Sequence, residues 1–203
     1  MIVIVDYGMG NLFSVKNALE SLGVEVVISR NPEDLKRSDR IILPGVGAFP
    51  DGMKNLKESG IIPALEEEVL RKKKPFLGIC LGMQLLGSVG EEYKETAGLG
   101  WLPGRVRRFQ TDKKQFCIPH VGWNEVAAKD NHLFKGLPNP IFYFVHSYHL
   151  VPEDLSAVIA TCDYGEIFAA AVQKENIFGV QFHPEKSQKD GLKVLENFLN
   201  YNN

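Results

Sequence analysis

The segment Gly78-Ile-Cys80-Leu-Gly82 sets a thiol between two glycines where an apolar strand-like run, Phe76–Ile79, gives way to a helical one beginning at Leu81. That spacing is the one a nucleophile elbow requires, with cysteine in place of serine. A strand that turns sharply into a helix strains the turning residue, and small neighbours let the backbone pass close by. The thiol then stands above the sheet at a helix N-terminus, whose positive end favours thiolate over thiol. The backbone N–H of Leu81 faces the same space and can hold a developing oxyanion. Cys117, before Ile-Pro-His, and Cys162, before Asp163, lack the glycine frame and read as small packing residues.

A thiol nucleophile near neutral pH needs a base. Of the five histidines, His183 in Gly-Val-Gln-Phe-His-Pro-Glu follows an apolar strand pattern, where a sheet delivers side chains to a ligand. Glu185 follows at i+2, on the same side of an extended chain. Pro184 keeps His183 extended. A carboxylate on one imidazole nitrogen and a thiol on the other make a triad in the chain order Cys80, His183, Glu185. An ordinary surface His-Pro-Glu turn is the plain alternative. His146 and His149 have no further Cys, His or Asp frame beside them, so neither a metal site nor a cofactor is expected.

The elements that must position these groups alternate in the first half of the chain. Ile2–Val5 reads as a buried strand, and Leu12, Val15, Leu19 and Leu22 keep a helical period that Gly23 stops. Val24–Ser29 is strand-like, and Pro32–Arg37 is a short helix that Asn31 can cap. Arg40–Leu43 is a strand ended by Pro44-Gly45. Helical pattern resumes through Leu65–Lys74, where Glu67 and Glu68 precede Arg71 and Lys72 by four residues. This charge run reads as a solvated helix face. Phe76–Ile79 is the fourth strand.

Such alternation of near-continuous apolar strands with helices means a parallel sheet covered on both faces. The second half supplies strand candidates at Val106–Phe109, Ile141–Val151, Ala157–Thr161, Ile167–Gln173 and Ile177–Phe182. Lys174–Gly179 looks like a hairpin connection, and Lys189–Leu199 is a closing amphipathic helix. The expected fold class is α/β, three-layered, with a mostly parallel central sheet, helices on both faces and an antiparallel extension. A single domain over residues 1–203 is expected. Cys80 and His183 both fall at C-terminal strand ends, where doubly wound sheets build their sites.

With 203 residues, 44% hydrophobic and 24% charged, the chain can bury a sizeable core. A net charge of −2 gives no global attraction to nucleic acid or an anionic membrane. Three widely spaced cysteines form no disulfide framework and suit a reducing compartment. The opening Met1–Gly10 lacks the basic flank and apolar length of a secretory signal. No apolar run reaches the ~18–20 residues of a membrane span. A cytoplasmic protein is expected.

Three segments together, Gly78–Leu86 around Cys80, Phe182–Glu185 and Leu43–Phe49 (Leu-Pro-Gly-Val-Gly-Ala-Phe), resemble the class I glutamine amidotransferases. Four blocks, 6–12, 43–49, 119–124 (Pro-His-Val-Gly-Trp-Asn) and 143–149 (Tyr-Phe-Val-His-Ser-Tyr-His), are similar to the glutaminase subunits of imidazole glycerol phosphate synthase. They span nearly the whole chain. The resemblance implies hydrolysis of glutamine to glutamate and ammonia, with Cys80 as nucleophile, His183 as proton shuttle and Glu185 as its orienter. It maps an oxyanion loop onto Gly45, Val46 and Gly47, to act together with the Leu81 N–H. It assigns glutamine-binding roles to Gln84, one helical turn after Cys80, to Glu92 with Glu91 as the alternative, and to Ser147 and Tyr148.

The resemblance also implies a partner, because this chain has no room for a second catalytic domain. That partner is a HisF-type (β/α)8-barrel cyclase, forming a heterodimer that makes imidazole glycerol phosphate and AICAR for histidine synthesis. Asn11, Trp123, Tyr143 and Lys186 are the implied interface residues. Read alone, they are also compatible with a helix cap, core packing for both aromatic rings, and a solvated lysine. A paralogous glutaminase feeding another synthase, such as one for surface-glycan sugar amidination, shares the same glutamine chemistry.

Overall fold

The computed structural model describes residues 1–111 and 115–202. Among these, the strands are β1 (Ile2–Val5), β2 (Val26–Ser29), β3 (Arg40–Gly45), β4 (Phe76–Cys80), β5 (Val89–Gly90), β6 (Thr96–Ala97) and β7 (Gly104–Arg108). They continue as β8 (His120–Glu125), β9 (Ala127–Ala128), β10 (Ile141–His146), β11 (Tyr148–Pro152), β12 (Val158–Asp163), β13 (Ile167–Lys174) and β14 (Ile177–Val180). The α-helices are α1 (Leu12–Glu20), α2 (Pro32–Arg37), α3 (Phe49–Glu58), α4 (Ile62–Leu65), α5 (Leu81–Gln84) and α6 (Gln188–Leu199).

The central sheet has eight strands in the order β2-β1-β3-β4-β14-β13-β12-β9. The pairs from β2 through β14 are parallel, and β13, β12 and β9 extend the sheet antiparallel. The mostly parallel α/β sheet with an antiparallel extension is therefore as the sequence suggested. Alternate residues of each buried strand feed two cores. Ile2, Ile4, Leu77 and Ile79 pack with Val15 and Leu19 of α1 and Val194, Leu195 and Phe198 of α6. Val3, Val5, Ile41, Leu43 and Phe76 pack with Leu35 of α2 and Met53 and Leu56 of α3. This is the period-2 rule applied to a sheet covered on both sides. No helix among the described residues is long and apolar enough to cross a membrane.

Three local expectations need correction. Strand β3 does not end before Pro44 but runs to Gly45. The β1 pairing stops at Ile42, so the proline falls where one side of the strand has no partner and its missing N–H costs no ladder bond. The charge run at 66–74 is not merely solvated. Glu66–Arg71 forms a π-helix that turns Glu68 inward, where it meets Lys72 at 2.7 Å and Lys74 at 2.8 Å. Finally, Ile141–Val151 is two strands rather than one. The chain breaks at Ser147, with β10 pairing β8 and β11 pairing β7 in separate sheets. That corner places Ser147 and Tyr148 in the wall of a cavity.

Candidate active site

Cys80 closes β4 and caps the N-terminus of α5 with φ 53° and ψ −109°. A non-glycine residue in this region is strained, at a typical cost of about 1–3 kcal/mol. The glycine frame is what makes the turn possible. A Cβ on Gly82 would overlap the Leu43 carbonyl oxygen of β3, and one on Gly78 would lie 2.6 Å from the Gly82 carbonyl oxygen. Both glycines are thus fixed by backbone passing backbone. Register sets Gly45 of β3 opposite Cys80, placing the start of the Gly45–Gly47 segment beside the elbow.

On its other side, β4 pairs with β14, and Val180 lies opposite Ile79. The chain leaving β14 therefore passes the elbow at Gln181 and reaches His183. The His183 N–H donates to the Tyr143 carbonyl at 2.9 Å, and the Ser187 hydroxyl donates to the His183 carbonyl at 2.6 Å. The Tyr143 N–H in turn donates to the Ser187 hydroxyl at 2.9 Å. These bonds dock the segment on β10. Glu185 Oε1 stands 2.8 Å from His183 Nδ1, and the two side chains are 1% and 2% exposed. A buried pair replaces the surface turn that the sequence also allowed.

Burial is the largest single influence on the His183 ring and acts against its charge. The Cys80 thiolate and the Glu185 carboxylate outweigh it and push the ring up to about 10. Nε2 is buried with no hydrogen bond of ordinary geometry, leaving it free for the sulfur and a reacting group. Cys80, Leu81, Val46 and Gly47 line a cavity of about 320 Å³, together with Gln84, Glu92, Ser147 and Tyr148. Every residue marked in the sequence for glutamine binding thus borders one space with the nucleophile.

The neighbouring glutamates differ in direction. Glu91 turns to Arg105 at 2.8 Å, away from the cavity. Glu92 lines it, and its Oε2 accepts from the Phe49 N–H at 2.8 Å, capping α3. Burial raises the Glu92 carboxyl above the usual range, opposed by that N–H bond and assisted by Asp51. Gln84 spends its amide nitrogen on the Tyr148 carbonyl at 2.8 Å and on Gln181 Oε1 at 3.1 Å.

Several residues at the site had no role assigned from the sequence. Tyr7, whose hydroxyl is buried without a partner, is close enough for the Cys80 charge to reinforce burial in raising its phenol. Gln181 touches the sulfur, and the alternation Gln181–His183 at the end of a strand was the available signal. Pro119, Val145 and His146 complete the wall. His146 belongs to a buried chain. Its Nδ1 lies 2.9 Å from the Tyr148 carbonyl and its Nε2 lies 3.1 Å from His120 Nδ1. His120 Nε2 in turn lies 2.6 Å from Asn124 Nδ2. Because the carbonyl only accepts, every bond runs in one direction if both rings are neutral. Burial keeps them so, holding His120 near 4 and His146 near 3.

Trp123 and Tyr143 face each other across β8 and β10, with ring centroids 5.9 Å apart. Lys186 Nζ lies 5.7 Å from the Tyr143 ring centroid. Trp123 is 46% exposed, and Val121 and Ile141 add exposed apolar surface to the same ribbon. Core packing for Trp123 is thereby excluded. Asn11 is the N-cap residue of α1, and its side chain makes no cap bond.

The family description "Glutamine amidotransferase class-I" matches residues 3–201. The chain is 49% identical over 206 residues to the imidazole glycerol phosphate synthase subunit HisH of Sulfurimonas denitrificans, covering 100% of this chain and 99% of the relative. It is 50% identical over 201 residues to HisH 1 of Campylobacter jejuni, covering 98% and 99%. Among solved structures, one described as glutamine amidotransferase aligns at TM-score 0.76 and 21% identity, covering 98% of this chain and 97% of that one. PurLQS from Thermotoga maritima aligns at TM-score 0.73 and 21% identity, covering 98% and 97%. These structures share the fold, while the much higher identities carry the narrower kinship. The chain belongs to the class I glutamine amidotransferase family and, within it, to the HisH subunits of imidazole glycerol phosphate synthase.

Proposed function

We propose that the chain hydrolyses glutamine at Cys80 and passes ammonia to a HisF-type cyclase subunit for histidine biosynthesis. The observation that carries this reading is the buried His183–Glu185 pair, its ring held charged by Cys80 and Glu185, beside a cavity of about 320 Å³ that Cys80 lines. The Cys80 thiolate attacks the side-chain amide carbon, and the carbonyl π pair moves to oxygen. The Leu81 N–H and the N–H groups of the Gly45–Gly47 loop hold that oxyanion. His183, resting as imidazolium, gives its proton to the departing nitrogen, and ammonia leaves a γ-glutamyl thioester. Neutral His183 then takes a proton from water as the hydroxyl adds to the thioester carbon. Collapse expels the thiolate and releases the γ-carboxylic acid, which gives its proton to water and leaves as glutamate, while the proton taken from the attacking water stays on His183. Glu185 holds Nδ1–H throughout, so Nε2 carries the moving proton.

Substrate holding follows from the lining. Glu92 and the free oxygen of Gln84 suit an α-ammonium, and the corner at Ser147–Tyr148 suits an α-carboxylate. Ammonia must then reach its acceptor without meeting water, where it is mostly protonated and unreactive. The ribbon bearing Trp123 and Tyr143, with Lys186 beside it and Asn11 on the adjoining α1, is the partner surface in this reading. An exposed aromatic pair with a cation over one ring is suited to anchor an interface. The relatives' description as subunits supports a partner of this kind.

The test is steady-state glutamate release by the purified chain, alone and with a HisF-type cyclase, with and without the cyclase substrate. A low rate alone and a large rise with both support the full reading. Glutamate release that ignores the cyclase removes the partner assignment. Full partner-dependent activity in Cys80→Ala removes the nucleophile.

A further inference from the structure

Gln181 is fully buried at the end of β14, and its Nε2 lies 3.6 Å from Cys80 Sγ. Which end of an amide faces the sulfur decides whether it donates or repels, and the surrounding bonds fix that choice. The Tyr148 carbonyl can only accept, so the Gln84 group 2.8 Å from it is the NH₂. That same nitrogen lies 3.1 Å from Gln181, which must therefore present its oxygen there. Reversing Gln181 would set two NH₂ groups against each other and turn a carbonyl oxygen toward the sulfur. The His146 Nδ1–H, bonding the same Tyr148 carbonyl at 2.9 Å, holds the first acceptor in place.

We infer that Gln181 is a catalytic residue that donates a hydrogen bond to the Cys80 thiolate, and that Gln84 is the positioning residue that aims it. This rests on the glutaminase reading of Cys80 given above. A donor on the sulfur favours thiolate over thiol, because a thiol sulfur is a weak acceptor. It acts twice in the cycle, stabilising the nucleophile before attack and the leaving thiolate when the thioester is cleaved. His183 supplies the charge opposite the sulfur, and Gln181 supplies a donor that does not move with the proton. When His183 has surrendered its proton to ammonia, the amide is still in place. Gln84 thereby has a role separate from holding substrate.

The test is the pH profile of Cys80 alkylation by iodoacetamide, followed by mass spectrometry in a Cys117→Ser background, since Cys117 is exposed and would react as well. No glutamine or partner is needed. The titratable groups around the sulfur are His183 with Glu185 behind it, Tyr7, and His146 beside His183; all are retained in the variants. Gln181→Met, which keeps length but has no donor, should move the profile alkaline and slow alkylation at pH 7 about tenfold, the effect of one hydrogen bond to a charged group. Gln181→Glu should slow it further by placing a carboxylate beside the sulfur. Gln84→Met should give a smaller change in the same direction. A wild-type profile in folded Gln181→Met overturns the inference. If that variant does not fold, a wild-type profile in both Gln181→Glu and Gln84→Met overturns it equally. Variants that lower Tm without moving the profile make Gln181 a packing residue. If the wild-type complex releases no glutamate while the profiles shift as expected, the glutaminase reading fails and the thiolate contact stands.

Discussion

Replacing Cys80 by alanine should lower the titration of His183 by about three pH units, because two anions share the work of charging a ring that burial would keep neutral. The ring is 2% exposed, yet it is pushed from the ordinary 6.5 to about 10, on the order of 5 kcal/mol in favour of the charged form. Desolvation of a ring this deep opposes the charge by roughly 2–3 pH units. The Cys80 thiolate and Glu185 together must supply roughly six, or about three each. Removing either leaves the other nearly cancelled by burial, so Cys80→Ala and Glu185→Gln should each titrate near 7. Removing both should take His183 below 5, toward the other buried rings. The assay is NMR of the ring nitrogens in histidine-labelled protein between pH 4 and 11, with His183 assigned through His183→Gln. His120, His146 and His149, held near 4, 3 and 4 by burial, will not interfere in the upper range. A wild-type His183 titrating near 6.5, or one unmoved by Cys80→Ala, would refute the ion pair. The proton for departing ammonia would then need another source.

Gly82→Ala should lower stability by about 1–3 kcal/mol through overpacking against the Leu43 carbonyl. It should also cut glutamate release about a hundredfold by displacing the elbow, read by thermal unfolding and by kcat. Trp123→Ala should weaken cyclase binding by about 2 kcal/mol in calorimetry while leaving the Cys80 alkylation rate unchanged. Lys74→Met should cost about 3 kcal/mol at pH 7, because Glu68 loses a partner in a nearly buried site. Burial raises the Glu68 carboxyl, but Lys72 and Lys74 hold it below the usual range. Its stabilisation is therefore present above about pH 4.3 and lost as pH falls through the lowered folded value. The gap between wild type and Lys74→Met should accordingly close in acid.

The helices and parallel strands were legible because each carries one strong period. Ile2–Val5 and Pro32–Arg37 have the expected bounds, and Asn31 does accept from the Glu33 N–H at the start of α2. The elbow was legible because its glycines answer a local steric demand. The features hidden from sequence depend on distant partners. Nothing in Ile141–Val151 announces the break at Ser147, since both halves are equally strand-forming and only pairing with β8 or β7 separates them. Glu68 reads as one of three identical neighbours until the π-helix turns it inward. Gln181 and Tyr7 carry no motif of their own. Their meaning lies in the sulfur beside them, and His120 needs both His146 and Asn124 to become part of a chain.

The pairing of β4 with β14 acts as the ruler of the site. The distance from nucleophile to base is set across a single pair of adjacent strands, not along the long stretch of chain between them. Outside the residues that line the cavity or dock His183, that stretch can change its length and surface without altering how Cys80 meets His183, provided the two strands keep their register. It includes the Trp123–Tyr143 ribbon, whose outward side chains can be reshaped so long as the Tyr143 backbone keeps its bonds to His183 and Ser187. Such decoupling gives a physical reason why the fold can persist at 21% identity. It also marks where redesign is safest: the loops between β4 and β14 that do not line the cavity can be re-cut for a new acceptor protein, whereas a one-residue slip between those strands would leave the thiol without its base.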